Sequence, residues 1–363
     1  MRIAVYGANG FQGKLVLAEL ARRGIEAVLV GRDAARLRAA AGAVTGAEHA
    51  ERRLAATDDP DALVAAFRGC AAVVNCAGPF SRSGHAVVRA AIAAGCHYVD
   101  TSGEQVYLRT VFDAFPVEAE RAGVAVVPAA NDGCVPGDLL ARLLFERIGP
   151  MREITVTHLV AGGGGMSRGS LRSLAETIET LRGGGLGYDG GRWRPLAAIR
   201  YASIVPPDAP APVDVVSLPL SEVITIPRHV PVQRVESLVE AALRARLNGP
   251  LAPEVVDTVP EGPAEAARRS QRFTYLVDGT GADGRYARGV VRGPDTYGST
   301  AVIAVEAARR LVVETPKPGV LAPAQAYDPA GFLDFLAPYG ITWSVELTTG
   351  PALGPAFGPA KPR

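Results

Sequence analysis

The chain has 363 residues, enough for two domains, and its 48% hydrophobic and 21% charged content is that of an ordinary globular protein. Lysine and arginine number 38 against 37 aspartates and glutamates, so no excess positive charge is present to hold nucleic acid or an anionic membrane surface. Cys70, Cys76, Cys96 and Cys134 form no Cys-x-x-Cys pair and have no histidine near them at zinc-ligand spacing, which argues against a metal site and for free thiols in a reducing compartment. No apolar run reaches the ~18 residues that span a bilayer. The first apolar run begins at residue 2, so no leader is expected and the expected location is the cytoplasm.

In chain order, "IAVYGA" reads as a buried strand and "FQGKLVLAELARRG" as a helix stopped at Gly24. "EAVLVGR" and "DAARLRAAAGAV" repeat the pair, and "HAERRLAA" is a weaker third strand before the helix "DPDALVAAFRG". "AAVVNCAG", "GHAVVRAAIAAG", "HYVDTSGE", one helix over about 104–122 and "VAVVPAA" continue the alternation. Strands and helices alternating this regularly predict parallel βαβ units, hence a doubly wound sheet covered on both faces over residues 1–130.

The pattern changes at "IGPMREITVTHLV". Strands lengthen and alternate, and glycine loops flank the helix in "AGGGGMSRGSLRSLAETIETLRGGGLG". "RFTYLVDGTGADGRYARGVVRG" reads as an antiparallel hairpin around a Gly/Asp turn. Residues 131–295 are therefore expected to form a second α+β domain whose mixed or antiparallel sheet keeps one solvated face. Residues 296–350, opening with the apolar helix "TYGSTAVIAVEAARRLVVE", are expected to return to the first domain. The Pro- and Gly-rich tail, 351–363, reads as disordered.

Gly7, Gly10 and Gly13 fall where the first strand turns into the first helix. A helix N-terminus carries partial positive charge and free N–H groups, and glycines there permit the turn, the close approach of a pyrophosphate and helix–strand packing. Gly7, Asn9, Gly10, Phe11, Gln12 and Gly13 are expected to bind the phosphates of a dinucleotide. At the end of the second strand an NAD binder usually carries a carboxylate for the ribose hydroxyl. This chain has Arg32 there, whose guanidinium suits a 2′-phosphate, so NADP(H) is the expected cofactor; Asp33 suits a helix cap. Asp58 is a candidate for the adenine. "NCAGPF" ends the fourth strand, which brings Asn75, Ala77, Gly78 and Pro79 to the cofactor.

"YGANGFQGKLVLAELARRG", "VVNCAGPFSRSGHAVVRAAIAAGCHYVDTSGE" and "VPGDLLA" together resemble the saccharopine dehydrogenase-like oxidoreductases, in particular the short single-chain members that include trans-acting enoyl reductases. The resemblance covers residues 1–145 most closely, with "SRGSLRS", "EVITIPRH" and "YGSTAVIAVEAARRL" matching more loosely. It implies a Rossmann domain, a catalytic or dimerising mixed-sheet domain, a returning C-terminal helix and NADPH. Relatives tend to carry Gly-Phe-Asp before "VPGD"; this chain has "NDGC", which bears on the substrate.

No Tyr-x-x-x-Lys dyad of the short-chain reductases stands in the expected place. The catalytic candidates are Asp132 and Asn131 in the loop after the sixth strand, Ser102 after the fifth, and Tyr297. Phe80, Glu104, Cys134, Ser167 and Arg168 are candidates for the substrate wall, while Asp100 reads as a buried carboxylate accepting loop N–H groups and His158 as a packed strand histidine. The reading is an NADP(H)-dependent reductase of a C=C (enoyl) or C=N (imine) bond in a small molecule, lipid or secondary metabolite, a homodimer through the second domain being one option. The alternatives are an amino-acid or imine dehydrogenase on carboxylate-bearing substrates, and an NADP-sensing regulator without turnover.

Overall fold

The computed structural model describes residues 1–196, 199–207, 211–247, 253–348 and 356–357. In the first unit β1 (Arg2–Tyr6) leads into α1 (Phe11–Arg22), β2 (Glu26–Gly31) into α2 (Ala34–Gly42) and β3 (Glu51–Leu54) into α3 (Pro60–Phe67). β4 (Ala72–Asn75) leads into α4 (Phe80–Ala93), and β5 (His97–Asp100) into α5 (Gln105–Ala114) and α6 (Pro116–Ala122). The single helix expected over 104–122 is thus two. Pro116 has no N–H to continue α5 and instead opens α6 at a position where none is needed. β6 (Ala125–Val127) precedes α7 (Val135–Ile148). The six strands pair in parallel in the order β3-β2-β1-β4-β5-β6, so the chain reverses direction across the sheet between β1 and β4 and opens a crevice at their carboxyl ends.

The second half supplies β7 (Met151–Ala161), α8 (Arg168–Arg182), β8 (Leu186–Asp189), β9 (Arg192–Pro195), β10 (Tyr201–Ile204) and β11 (Val213–Ser217). After these come α9 (Glu222–Thr225), β12 (Val232–Glu240), α10 (Ala241–Leu247), α11 (Pro253–Thr258), α12 (Glu265–Ser270), β13 (Arg272–Gly281) and β14 (Tyr286–Pro294). The chain continues through α13 (Thr296–Glu314), β15 (Gly319–Val320), α14 (Pro323–Ala326), α15 (Pro329–Phe335), β16 (Thr342–Thr348) and β17 (Ala356–Phe357). The second sheet runs β16-β14-β13-β7-β12-β11-β10-β17; β7 and β12 are parallel and the other neighbours antiparallel, so it is mixed.

One solvated face was the expectation for this sheet, and the central strands depart from it. Ile154 to Leu159 are all buried, alternate residues packing under α7 with Val277 and Val291 or into a second cluster with Leu238, Leu276 and Val290. The hairpin of β13 and β14 pairs from Arg272 to Thr280 as its alternation predicts.

α13 is buried nearly all round from Ser299 to Leu311, because it lies against α1, β4 and β5 and against β14 of the other sheet. Its Glu306 is fully buried and ion-paired at 2.7 Å with Arg23, the residue that ends α1 as its C-cap. β15 then extends the first sheet beside β6. Contact with the first unit continues past it: α14 lies against β6, Arg22 and Arg23 lie over the Tyr339 ring, and Tyr339 Oη donates to Glu19 of α1 at 3.2 Å. Residues Thr342–Thr348 form β16 on the edge of the second sheet, since their backbone groups find a ladder along β14. Of the tail read as disordered, Ala356–Phe357 pairs with β10, and residues 351–355 and 358–363 lie outside the described residues. No described helix is long and apolar enough to cross a membrane.

Candidate active site

The β1–α1 turn explains its glycines individually. Gly7 has φ +77°, a conformation open to glycine, and its N–H donates to the Val30 carbonyl at 3.0 Å. A Cβ on Gly13 would stand 2.3 Å from the Gly7 oxygen, so α1 packs on the turn only without one. Gly10 is different. Its φ is −79°, and a Cβ there would meet the Gly7 oxygen at 3.3 Å, a contact a small adjustment relieves. The chain itself requires glycine less strictly at Gly10 than at Gly13, whereas a ligand lying on the first-turn amides of α1 would need the space. Those amides, at Phe11, Gln12 and Gly13, have no partner inside a helix and form a cradle that suits a pyrophosphate. The side chains of Phe11 and Gln12 point elsewhere. The Phe11 ring meets Tyr297 edge-on at 5.2 Å, and Gln12 Nε2 donates to the Tyr297 carbonyl at 3.2 Å.

Beside the ends of β2 and β3, Arg32 and Asp58 line one open cleft of about 550 Å³ together with Leu54 and Pro60. Arg32 is exposed, and Asp33 caps α2 by accepting the Arg36 N–H at 2.9 Å. Asn9 borders the same end, its Oδ1 lying 3.3 Å from where a Cβ on Gly31 would stand. Leu54 is an exposed apolar side chain that the sequence reading missed; its signal was an apolar residue closing a strand of charged ones.

At the carboxyl ends of β4, β5 and β6 most polar candidates are engaged within the protein. Asn75 is fully buried, accepting the Ala77 N–H at 3.0 Å and donating to Tyr98 Oη at 3.0 Å. Tyr98 and Tyr107 share a hydrogen bond, and Tyr107 donates to Asp100 Oδ2 at 2.7 Å. Asp100 Oδ1 accepts the N–H groups of Ser102 and Ala129, each at 3.0 Å, as expected for a loop-holding carboxylate. Burial pushes this carboxyl up while those donors pull it back. Ala129 has φ +60°, a strained value for a residue with a Cβ, and this turn carries the chain to Asn131 and Asp132.

Several residues expected to touch ligand therefore do something else. Ser102 is fully buried with its hydroxyl accepting the Glu104 N–H, and both Glu104 oxygens cap α4. Phe80 is buried against Tyr107, with ring centroids 5.6 Å apart. Asn131 spends its side-chain amide on the Ser102 carbonyl at 2.8 Å. Cys134 is fully buried beside Thr225, and burial, Glu222 and Asp138 push its thiol well up, which removes it as a reactive group. Arg168 donates its Nε–H to the Val259 carbonyl at 2.8 Å. Ser167 caps α8 through the Ser170 N–H, and its own N–H donates to Tyr297 Oη at 2.7 Å. Ser170 Oγ lies 3.0 Å from the same phenol. Gly78 and Pro79 form a turn under α8, where a Cβ on Gly78 would be 2.5 Å from Ser173 Oγ.

Asp132 stands apart. It is half-buried, with Oδ1 accepting from Thr300 Oγ1 at 2.7 Å and Oδ2 from Tyr275 Oη at 2.6 Å. Burial raises its carboxyl above the usual range, and Tyr275, Thr300 and the nearby His158 pull it back. Thr300 and Tyr275 were missed by the sequence reading, for they come from α13 and β13, more than 140 residues away. A second cavity of about 280 Å³ lies between the β8–β9 hairpin and β12, with Tyr188, Leu196, Val223 and Val235 among its walls. Two arginines on its rim, Arg200 and Arg234, are ion-paired with Glu236 at 2.5 and 3.1 Å. Among the described residues no group of three or more His, Cys, Asp or Glu is placed to hold a metal ion.

Residues 3–127 match the family model described as the saccharopine dehydrogenase NADP binding domain. A Mycobacterium tuberculosis (strain H37Rv) protein provisionally named a trans-acting enoyl reductase is 35% identical over 187 residues, 49% of this chain and 44% of its own length. The trans-acting enoyl reductase of Mycobacterium bovis (strain BCG / Pasteur) is 33% identical over 149 residues, 40% of this chain and 35% of its own. A lipid droplet localized protein of Caenorhabditis elegans is 29% identical over 209 residues, 54% and 47% of the two chains. The chain thus spans less than half the length of these relatives in the matched stretches. Apo saccharopine dehydrogenase (L-Glu forming) of Saccharomyces cerevisiae superposes with a TM-score of 0.61 at 14% identity, covering 96% of this chain and 100% of that one, a likeness of fold. Residues 3–127 are a saccharopine dehydrogenase-type NADP-binding domain, set in a chain with the saccharopine dehydrogenase fold.

Proposed function

We propose that the chain is an NADPH-dependent reductase that delivers hydride to a polarised C=C bond, or to a C=N bond, of a small-molecule, lipid or secondary-metabolite substrate in the cytoplasm. The observation that carries this reading is Asp132, a half-buried carboxyl with a raised proton affinity, in the loop after β6. In an open sheet of this order the adenine lies toward β2 and β3, the pyrophosphate at β1 and the nicotinamide beyond β4. The cofactor, when bound, supplies the hydride.

The chain's own residues do the rest. Arg32 and Asp58 hold the adenosine end, the first-turn amides of α1 hold the pyrophosphate, and the Asn75–Gly78 turn bounds the nicotinamide side. Tyr297 closes over the phosphate turn through Phe11 and Gln12. Asp132 gives its proton to the substrate carbon or nitrogen that does not take the hydride, and its carboxylate is then held by Tyr275 and Thr300. Residues 131–295 contribute the substrate side. Their mainly apolar cavity, with Arg200 and Arg234 already neutralised by Glu153 and Glu236, favours an uncharged or acyl-type substrate over one bearing several carboxylates. The relatives named as enoyl reductases favour the C=C bond.

NADPH oxidation, followed by absorbance with α,β-unsaturated thioesters and with cyclic imines as acceptors, tests the reading. Turnover with unsaturated thioesters that Asp132→Asn slows at least a hundredfold is expected. Tight NADPH binding without turnover of any acceptor would point to a sensor instead.

A further inference from the structure

Behind Asp132 lies a row of polar side chains that the fold alone does not need. Tyr275 on β13 and His158 on β7 are direct cross-strand partners, and their rings stack with centroids 4.0 Å apart at 24°. On its other side Tyr275 stacks on Phe273 at 4.6 Å and 19°, so the phenol is held in one plane with its hydroxyl 2.6 Å from Asp132 Oδ2. His158 Nε2 meets Glu222 Oε1 at 2.6 Å. Glu222 is fully buried, and its Oε2 has no hydrogen-bond partner among the described residues.

Burying a phenol, an imidazole and a carboxylate together is costly compared with apolar residues of the same size. The stack on Phe273 would survive a phenylalanine at 275. What the hydroxyl adds is the contact with Asp132, the carboxylate residue of the row that is not fully buried. The other titratable groups around the cluster are Cys134, Asp138 and Asp100. The Cys134 thiol is kept neutral by burial, Asp138 is paired with His229 at 2.9 Å, and Asp100 is enclosed by its own donors.

We infer that Tyr275 is the positioning residue of Asp132, orienting its carboxyl and setting its proton affinity, while the His158–Glu222 pair braces the Tyr275 ring from behind. The inference rests on the reading of Asp132 as the proton donor, but its test needs no turnover. In the full-length protein loaded with NADP⁺, the carboxyl ¹³C signal of Asp132 is titrated by NMR in wild type and in Tyr275→Phe, with Asp132→Asn identifying the signal. Phenylalanine keeps both ring stacks and removes the donor to the carboxylate. The Asp132 midpoint is expected to rise by about one pH unit, a tenfold gain in proton affinity.

In the wild type the Tyr275 ¹³Cζ signal is expected to shift with the same midpoint as Asp132, which keeps the test available should Tyr275→Phe not fold. An unmoved Asp132 midpoint in Tyr275→Phe, or a Tyr275 signal that ignores the Asp132 titration, overturns the inference. If the midpoints move together while Asp132→Asn leaves NADPH turnover unchanged, the proton-donor reading fails and the coupling of Tyr275 to Asp132 stands.

Discussion

Glu104 accepts the main-chain N–H groups of Phe80 and Ser81 at 2.8 and 2.7 Å, so a residue at the start of α5 caps the helix that begins 24 positions before it. α4 opens on Pro79, which offers no side-chain acceptor, and the carboxylate takes the place of a local cap. Glu104→Ala is therefore expected to lower unfolding free energy by about 2 kcal/mol, since one buried and one half-buried N–H group lose their carboxylate acceptor. Chemical denaturation measures it. A loss of NADPH turnover with unchanged stability would instead mark Glu104 as a ligand contact.

Gly13 and Gly10 should separate folding from binding. Gly13→Ala places a Cβ 2.3 Å from the Gly7 oxygen, and a drop of about 1–3 kcal/mol in stability is expected from the overpacking. Gly10→Ala brings its Cβ to 3.3 Å from the same oxygen, a tight contact that a shift of a few tenths of an ångström relieves, so its melting temperature should fall less than that of Gly13→Ala while NADPH affinity falls at least tenfold. Thermal melts with and without NADPH report both. Unchanged affinity in Gly10→Ala would contradict a phosphate lying on the first turn of α1.

The first sheet was legible because each element there is specified locally. An apolar run of strand length, a capping Asp at Asp33 or Asp59 and a glycine stop recur along the chain, and the parallel order follows from their alternation. The glycine turn between β1 and α1 was legible for the same reason. The surroundings of Asp132 were not, because their contacts join residues far apart. Asp132 was visible as a polar residue in a loop, but its partners Tyr275 and Thr300 were written into a hairpin strand and an apolar helix, where nothing local distinguishes them from core positions. Glu104, Ser102 and Asn131 misled for the converse reason. Polar side chains beside a crevice look like ligand contacts until the buried N–H and carbonyl groups they satisfy are seen. β16 escaped because strand partnership with β14 depends on where α15 delivers the chain.

In the proposed reading Arg32 carries the cofactor preference. Arg32→Ala is expected to weaken NADPH binding ten- to a hundredfold, about 1.5–3 kcal/mol for a charge-assisted contact, and to leave NADH binding unchanged. Cofactor fluorescence titrations compare the two. Equal affinity of the wild type for both cofactors would assign Arg32 to the solvated surface.

The raised proton affinity of Asp132 sets a direction for the effect of pH. As proton donor it must be protonated, so kcat should hold on the acid side and decline as pH rises through its midpoint. The folded state holds this proton more tightly than the unfolded chain does. The resulting stabilisation is complete below the ordinary value of 3.8 and is lost as pH rises through the folded midpoint. Urea unfolding of wild type and Asp132→Asn across the acid-to-neutral range should show the variant gaining relative stability with rising pH. A constant difference would mean that Asp132 titrates as an ordinary carboxyl.

The central claim is tested most directly by isotope transfer. With NADPH deuterated at the transferable nicotinamide C4 position and an α,β-unsaturated thioester as acceptor, mass spectrometry of the product should show one deuterium per reduced bond. Asp132→Asn should form the same product at least a hundredfold more slowly. An unlabelled product, or an Asp132→Asn protein that transfers deuterium at the wild-type rate, would contradict the account.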